Sequence, residues 1–153
     1  MIRVQTEPFD IGAEITQLTA GRKDIGALVT FTGFVRDFYE DQTVGAMTLE
    51  HYPGMTEREL ESIETEANAR WPLTASLIIH RYGDLYPGDP IVLVVTASAH
   101  RHAAYEANAF LMDWLKTKAP FWKLEERGGK TEWVTARAED DTAADRWTAK
   151  KPD

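Results

Sequence analysis

The chain has 153 residues, with 17 Lys and Arg against 25 Asp and Glu and a formal net charge of −8. That length suits one domain with a real core, and 43% hydrophobic with 27% charged residues excludes general disorder. The acidic balance argues against broad binding to nucleic acid or anionic membrane, and the absence of cysteine excludes disulfides, thiolate metal sites and a cysteine nucleophile from this chain.

The N-terminal MIRVQTEPFDIG lacks the apolar core of a signal peptide, and the longest apolar run, IVLVV, is far short of a membrane span. The expectation is a cytoplasmic protein. IGALVTFTGFVRD reads as a Gly-punctuated strand and VGAMTLEHY as a second; with the polar YEDQT between them, the two are expected to pair as a hairpin. A helix is expected from Thr56, with Thr56 and Glu59 as a capping box, Leu60, Ile63 and Ala67 as its buried stripe, and Trp71-Pro72 as its end. ASLIIHRYG and IVLVVTASA read as two buried strands joined through Tyr86-Pro87-Gly88-Asp89, where Pro and Gly suit a type II turn. The predicted class is α+β with largely antiparallel pairing.

A second helix is predicted from about Arg101 to Thr117, stopping before Pro120. Ala103, Ala107, Phe110, Leu111 and Trp114 form one stripe, and Tyr105, Ala109 and Met112 a second that Lys116 ends; His102, Glu106, Asp113 and Thr117 form the polar side. Beyond Pro120, FWKLEE alternates like a strand, with Phe121 and Lys123 on one side and Trp122 and Leu124 on the other. No repeat or low-complexity linker interrupts the chain, so a single domain is expected over 1–147, with 148–153 as a frayed tail.

Positive charge is local. Between His100 and Lys123 stand Arg101, Lys116, Lys118 and Lys123 against only Glu106 and Asp113. Two readings of the lysines in LKTKAPFWK remain open. Lysine is favoured near a helix C-terminus by the dipole, and its stem can cover apolar surface. Alternatively, a helix ending in Lys116 that turns through Ala119-Pro120 into a strand carrying Lys123 can aim both ammonium groups into one cleft. Arg36 in FTGFVRD and His100-Arg101 in SAHRHAA are further cationic candidates, since a helix N-terminus offers free N–H groups to a phosphate. The plainer alternative is Ser98 as a helix cap beside a solvated Arg101. His100 and His102 do not share a helix face, and His51 and His80 lack metal-motif spacing, so no metal is expected. Gly128-Gly129-Lys130 lacks the earlier Gly and the following Ser or Thr of a Walker loop and reads as a hairpin turn.

FTGFVRD, LEHYPGMTE, IIHRYGDLYPGDPIVLVVTASAHR, FLMDWLKTKAPFWKLE and WVTAR follow one another over roughly Ala27 to Trp147. In that order they resemble the family of large, catalytic subunits of molybdopterin synthase. HYPGM, SAHR and LKTKAPFWK carry most of the specificity. The resemblance implies an α/β hammerhead-type fold with an added antiparallel β subdomain. It implies a homodimer at the core of a heterotetramer, with a small ubiquitin-like sulfur-carrier subunit at each end. The implied activity is sulfur transfer: the carrier's C-terminal Gly-Gly thiocarboxylate enters a pocket and gives sulfur to cyclic pyranopterin monophosphate. Two transfers build the dithiolene of molybdopterin, with no permanently bound cofactor. By position, Lys116 and Lys123 match the family's catalytic lysines, and Arg36, His100, Arg101 and Arg137 its pterin and phosphate contacts. Phe34, Val35 and Arg36, with Lys123, Leu124 and Glu125, are expected to line the pocket. Lys118 stands where the family accepts either basic residue.

A catalyst without cysteine agrees with sulfur brought by a partner, and phosphate and thiocarboxylate both call for a cationic pocket. Two other classes remain. A non-catalytic scaffold for a ubiquitin-like protein would bind the partner without converting the pterin. A nucleotide or nucleic-acid module would stack bases on Phe121 and Trp122 and bind oligonucleotides with steep salt dependence, but no RNP or Walker pattern is present.

Overall fold

Strands that are apolar at every position are strands covered on both faces, and two such runs set the centre of this protein. The computed structural model describes residues 1–39, 42–127, 130–134 and 138–148, with side chains at 1–37, 47–122 and 142–148. In chain order the elements are β1 (Ile2–Gln5), α1 (Ile11–Thr19), β2 (Ala27–Phe34), β3 (Phe38–Tyr39), β4 (Gln42–His51), α2 (Met55–Arg70) and β5 (Leu73–Arg81). There follow β6 (Gly83–Leu85), β7 (Pro90–Ser98), α3 (Arg101–Thr117), β8 (Phe121–Arg127), β9 (Lys130–Val134) and α4 (Ala138–Thr148).

One sheet has the order β1-β5-β7-β2. Its β5–β7 and β2–β7 pairs are antiparallel, and β1 lies parallel to β5. Along β5 and β7 the side chains alternate between two cores. Ile78, Val92 and Val94 meet Leu60, Ile63 and Ala67 of α2 and Phe110 and Leu111 of α3. Leu77, Ile79, Leu93 and Val95 face the other way, towards Phe9 and towards Ile11 and Leu18 of α1. Each fully buried side chain of this size contributes about 1.5–3 kcal/mol, so the central strands are held from both sides. The second sheet, β3-β4-β8-β9 with β6 also on β4, is antiparallel throughout. Its buried cluster joins Val35, Met47, Leu49 and Leu85. The α+β class and the added antiparallel β unit are thus as expected.

The hairpin expected between the first two strands does not form. β2 pairs with β7, from Ala27 opposite Ser98 to Phe34 opposite Pro90, while β4 pairs with β8 and β6. Only the two residues of β3 turn back onto β4. The physical reason is burial: β2 completes the sheet around β7, whereas Met47 and Leu49 of β4 bury with Val35 and Leu85 in the other core. The first long helix also starts earlier than expected. Gly54 is its N-cap, and the Glu57 carboxylate accepts the Gly54 N–H at 2.6 Å. Thr56 is fully buried and bonded elsewhere, so the capping pair lies two residues earlier than the expected Thr56 and Glu59.

Other expectations hold. Leu60, Ile63 and Ala67 are the buried stripe of α2, and α3 has the predicted bounds. Gly88 has φ +92°, and the Asp89 N–H donates to Tyr86 O at 2.9 Å, as a type II turn requires. Arg127 pairs with Lys130 across Gly128-Gly129, which lie outside the described residues. α4 docks on α3 through Asp113, whose Oδ2 accepts from Trp147 Nε1 at 2.6 Å and Arg146 at 3.0 Å. Thr148 is the last residue of α4, and 149–153 lie outside the described residues. Among the described residues no helix is long and apolar enough to cross a membrane.

Candidate functional site

The candidate residues fall at the two ends of α3. At its start, β7 finishes at Ser98 and the helix begins at Arg101. His100 is the N-cap in extended conformation (φ −131°, ψ 150°), and its side chain makes no cap bond. The N–H groups of the first turn are therefore left without a side-chain acceptor and carry the positive end of the helix dipole. Ser98 is not the cap: its hydroxyl donates to Pro72 O at 2.8 Å. His100, Arg101, His102 and Tyr105 are all exposed and line a cleft of about 440 Å³. A guanidinium, two imidazoles and a phenol ring beside free backbone N–H groups suit a phosphate carried on a flat ring system. His102, expected on the polar side, and Tyr105, expected on an apolar stripe, join the two anticipated residues here. The signal was the spacing of Tyr105 one helical turn from Arg101, which puts both on one face. The apolar stripe assigned to Tyr105, Ala109 and Met112 is corrected accordingly: Tyr105 is 63% exposed and the other two are only half-buried. The helix's buried face instead includes the polar Asn108, whose Nδ2 donates to Val29 O and Val94 O at 3.1 and 3.0 Å.

At the other end, Lys116 lies exposed in the last turn of α3. Lys118 is exposed too, with Nζ 5.2 Å from the centre of the Trp114 ring. The chain then turns tightly, Phe121 N–H donating to Ala119 O at 2.9 Å, and enters β8. That entry is clamped on both faces. Phe121 stacks on buried His80 with ring centres 3.7 Å apart, while Trp122 packs against Tyr52 at 4.7 Å. Beside Phe121, His51 is held by one hydroxyl. Thr56 Oγ1 donates its single proton to Tyr52 O at 2.9 Å, so at its 3.0 Å contact with His51 Nδ1 it accepts, which places a proton on Nδ1. The His51 ring lies 4.4 Å from Tyr82. The backbone of Lys123 is thereby fixed between Leu49 and Val134, with Leu124 opposite Thr48 and Glu125 opposite Met47. The side chains of these three lie outside the described ones, and Arg137 lies outside the described residues altogether.

Phe34, Val35 and Arg36 stand at this same end. α3 runs back over β7, so its C-terminal turn lies where β7 begins, and there Leu115 packs in the cluster that holds Val92. Phe34 pairs with Pro90 at that end of the sheet. Val35 is buried against Met47, Leu49 and Leu85; its N–H donates to Asp89 O at 2.9 Å and its carbonyl accepts from Gly88 N–H at 2.8 Å. Between 53%-exposed Phe34 and exposed Arg36, it is an anchor whose neighbours face outward. The structure thus brings Phe34–Arg36, Lys116 and the start of β8 to one end. It does not bring His100 and Arg101 to them: at about 1.5 Å rise per residue, Arg101 and Lys116 are roughly 22 Å apart along α3.

Among the described residues no three His, Asp or Glu side chains stand together as a metal site. The protein is α+β, with a second antiparallel sheet beside the first and two exposed cationic groups. A family model described as MoaE protein matches residues 4–118, a span that contains Phe34–Arg36, His100, Arg101 and Lys116. The molybdopterin synthase catalytic subunit of Mesorhizobium japonicum is 53% identical over 148 residues, covering 95% of this chain and 92% of its own. That of Pseudomonas aeruginosa is 54% identical over 146 residues, covering 95% and 97%. The solved structure of the molybdopterin biosynthesis MoaE protein from Burkholderia ambifaria superposes with a TM-score of 0.83 at 50% identity, covering 97% of both chains. The chain belongs to the MoaE family.

Proposed function

We propose that this chain is the catalytic subunit of a molybdopterin synthase, a sulfurtransferase that converts cyclic pyranopterin monophosphate into molybdopterin. The sulfur arrives as the C-terminal thiocarboxylate of a small ubiquitin-like carrier, in keeping with a chain that has no cysteine of its own. The observation that carries the reading is the gathering of exposed Arg36, exposed Lys116 and the clamped start of β8 at one end of an otherwise acidic protein.

In this reading Lys116 stabilises the negative charge that develops as the thiocarboxylate sulfur attacks the pterin. Lys123 holds the carrier's terminus or the substrate, Leu124 and Glu125 line the passage, and Arg36 with Arg137 holds the pterin side. His100 and Arg101 take the phosphate. Because these two sit a helix length from Lys116, a working pocket combines the lysine end of one copy with the α3 N-terminus of a second. A homodimer that carries one carrier at each outer end follows as the assembly, acting in the cytoplasm without a permanently bound cofactor.

The reading is tested by mixing the purified protein with thiocarboxylated carrier and cyclic pyranopterin monophosphate and detecting molybdopterin as its oxidised fluorescent derivative. Product is expected with the native chain. With Lys116→Ala the single-turnover rate is expected to fall by about 10² or more, and with Lys118→Ala to stay near native. Carrier binding without product would leave a scaffold, and near-normal turnover by Lys116→Ala would remove Lys116 from the chemistry.

A further inference from the structure

Gly26 is a glycine for want of space. Its backbone is outside the left-handed region, which is occupied among the described glycines by Gly21, Gly54, Gly83 and Gly88. A Cβ built on it would overlap the carbonyl oxygen of Ala99 and lie 3.0 Å from the Ala99 carbonyl carbon. What it meets is main chain, which cannot rotate aside like the end of a flexible side chain.

The peptide it touches is the one that delivers His100 and Arg101. Ser98, just before it, pairs with Ala27 of β2 on one side and Leu73 of β5 on the other. The Gly26 N–H donates to Ser98 O at 3.0 Å, and the Ser98 hydroxyl is held by Pro72 O. The loop leading to Gly26 is pinned in turn: Arg22 holds Asp24 at 2.8 Å and donates to Thr74 O at 2.6 Å. Beyond Ala99 the next hold is at buried Ala104, whose carbonyl accepts from Thr96 Oγ1 at 2.7 Å. His100 makes no cap bond and both side chains are exposed, so their direction is inherited from the Ala99 peptide.

We infer that Gly26 is a positioning residue for the phosphate-binding end of the site, setting the direction of His100 and Arg101 through direct contact with the Ala99 carbonyl. The inference rests on the reading that these two residues hold the phosphate. Any side chain at position 26 pushes the Ala99 peptide outward and turns His100 and Arg101 about the Ala104 anchor, so the guanidinium and the free N–H groups no longer converge on one point.

The test is steady-state kinetics of Gly26→Ala in the assembled enzyme, varying the cyclic pterin at saturating thiocarboxylated carrier and then the reverse. The KM for the pterin is expected to rise about tenfold or more, the scale on which a misplacement of about an ångström acts. The kcat and the carrier dependence are expected to stay within about twofold of native. Arg101→Ala is expected to raise the same KM, and the double variant to be little worse than Arg101→Ala alone, since two residues acting through one contact are not additive. If Arg101→Ala raises the KM and Gly26→Ala does not, the positioning role is wrong and the phosphate reading survives. If neither raises it, both fall. A Gly26→Ala chain that does not fold, or that loses kcat and both affinities together, assigns the glycine to the fold and overturns the inference.

Discussion

The three lysines between Leu115 and Lys123 differ in what surrounds them, and that separates their roles. Lys118 lies over the Trp114 ring, a contact worth about 0.5–1 kcal/mol at an exposed site, and so has a structural occupation. Lys116 is exposed at the end where Phe34–Arg36 and β8 meet. The HYPGM sequence has a comparable division of labour. His51 is oriented by Thr56, and Thr56 is fully buried with its hydroxyl shared between Tyr52 O and His51 Nδ1. Thr56→Val keeps the shape and removes both hydroxyl bonds; Tyr52 O keeps the backbone N–H of residue 56 at 2.9 Å, while the His51 Nδ1–H is left without its acceptor. The expected loss is about 1–3 kcal/mol in urea unfolding; a midpoint equal to native would contradict the assignment of these bonds.

At the scale of elements, the first sheet and the turn that carries Val35 are tied by Arg81. Arg81 is 6% exposed, its guanidinium donating from Nε and one terminal nitrogen to Thr6 O at 3.1 Å and from the other to Pro90 O at 2.9 Å. Pro90 is the residue opposite Phe34, so the same cation that holds the segment after β1 also holds the start of the site. Arg81→Met preserves bulk but leaves these carbonyls unmet, and a loss of about 3 kcal/mol is expected from urea unfolding. A change within experimental error would mean that water replaces the guanidinium at no cost. The helices of this architecture were legible because period, capping and breakers are local: α3 was bounded correctly by Arg101 and Pro120. α1 carries the same local signals, with Asp10 accepting the Ala13 N–H at 2.9 Å and Ile11, Ile15 and Leu18 spaced along one face. Strand partners were not legible. Alternation identifies a strand and its buried face, but whether β2 meets β4 or β7 is decided by which core each face closes, and no local signal encodes that.

At the scale of the whole molecule, the site was legible as a set of residue types and illegible as a place. Clustered cations in an acidic chain, the lysine at the end of a helix and the basic pair at the start of that same helix can all be read from the sequence. The predicted helix already sets the two groups roughly 22 Å apart; that Phe34–Arg36 and the start of β8 stand at its Lys116 end emerges only from the strand pairing. Separation on one chain becomes juxtaposition between two if the pocket is shared, and a symmetric dimer then contains two such pockets.

Mixing impaired variants tests this directly. Assayed with the cyclic pterin well below its native KM, where a raised KM lowers the rate in proportion, Arg101→Ala and Lys116→Ala chains are each expected to retain about a tenth of native activity or less alone. Unfolded, mixed in equal amounts and refolded together, they form hybrid dimers in which one pocket has both residues intact and the other has neither. Recovery of about a quarter of native molybdopterin formation is the expected result for random pairing of a two-fold dimer. If the hybrids form and the mixture is no more active than its components, each pocket belongs to a single chain and the shared-site account is wrong.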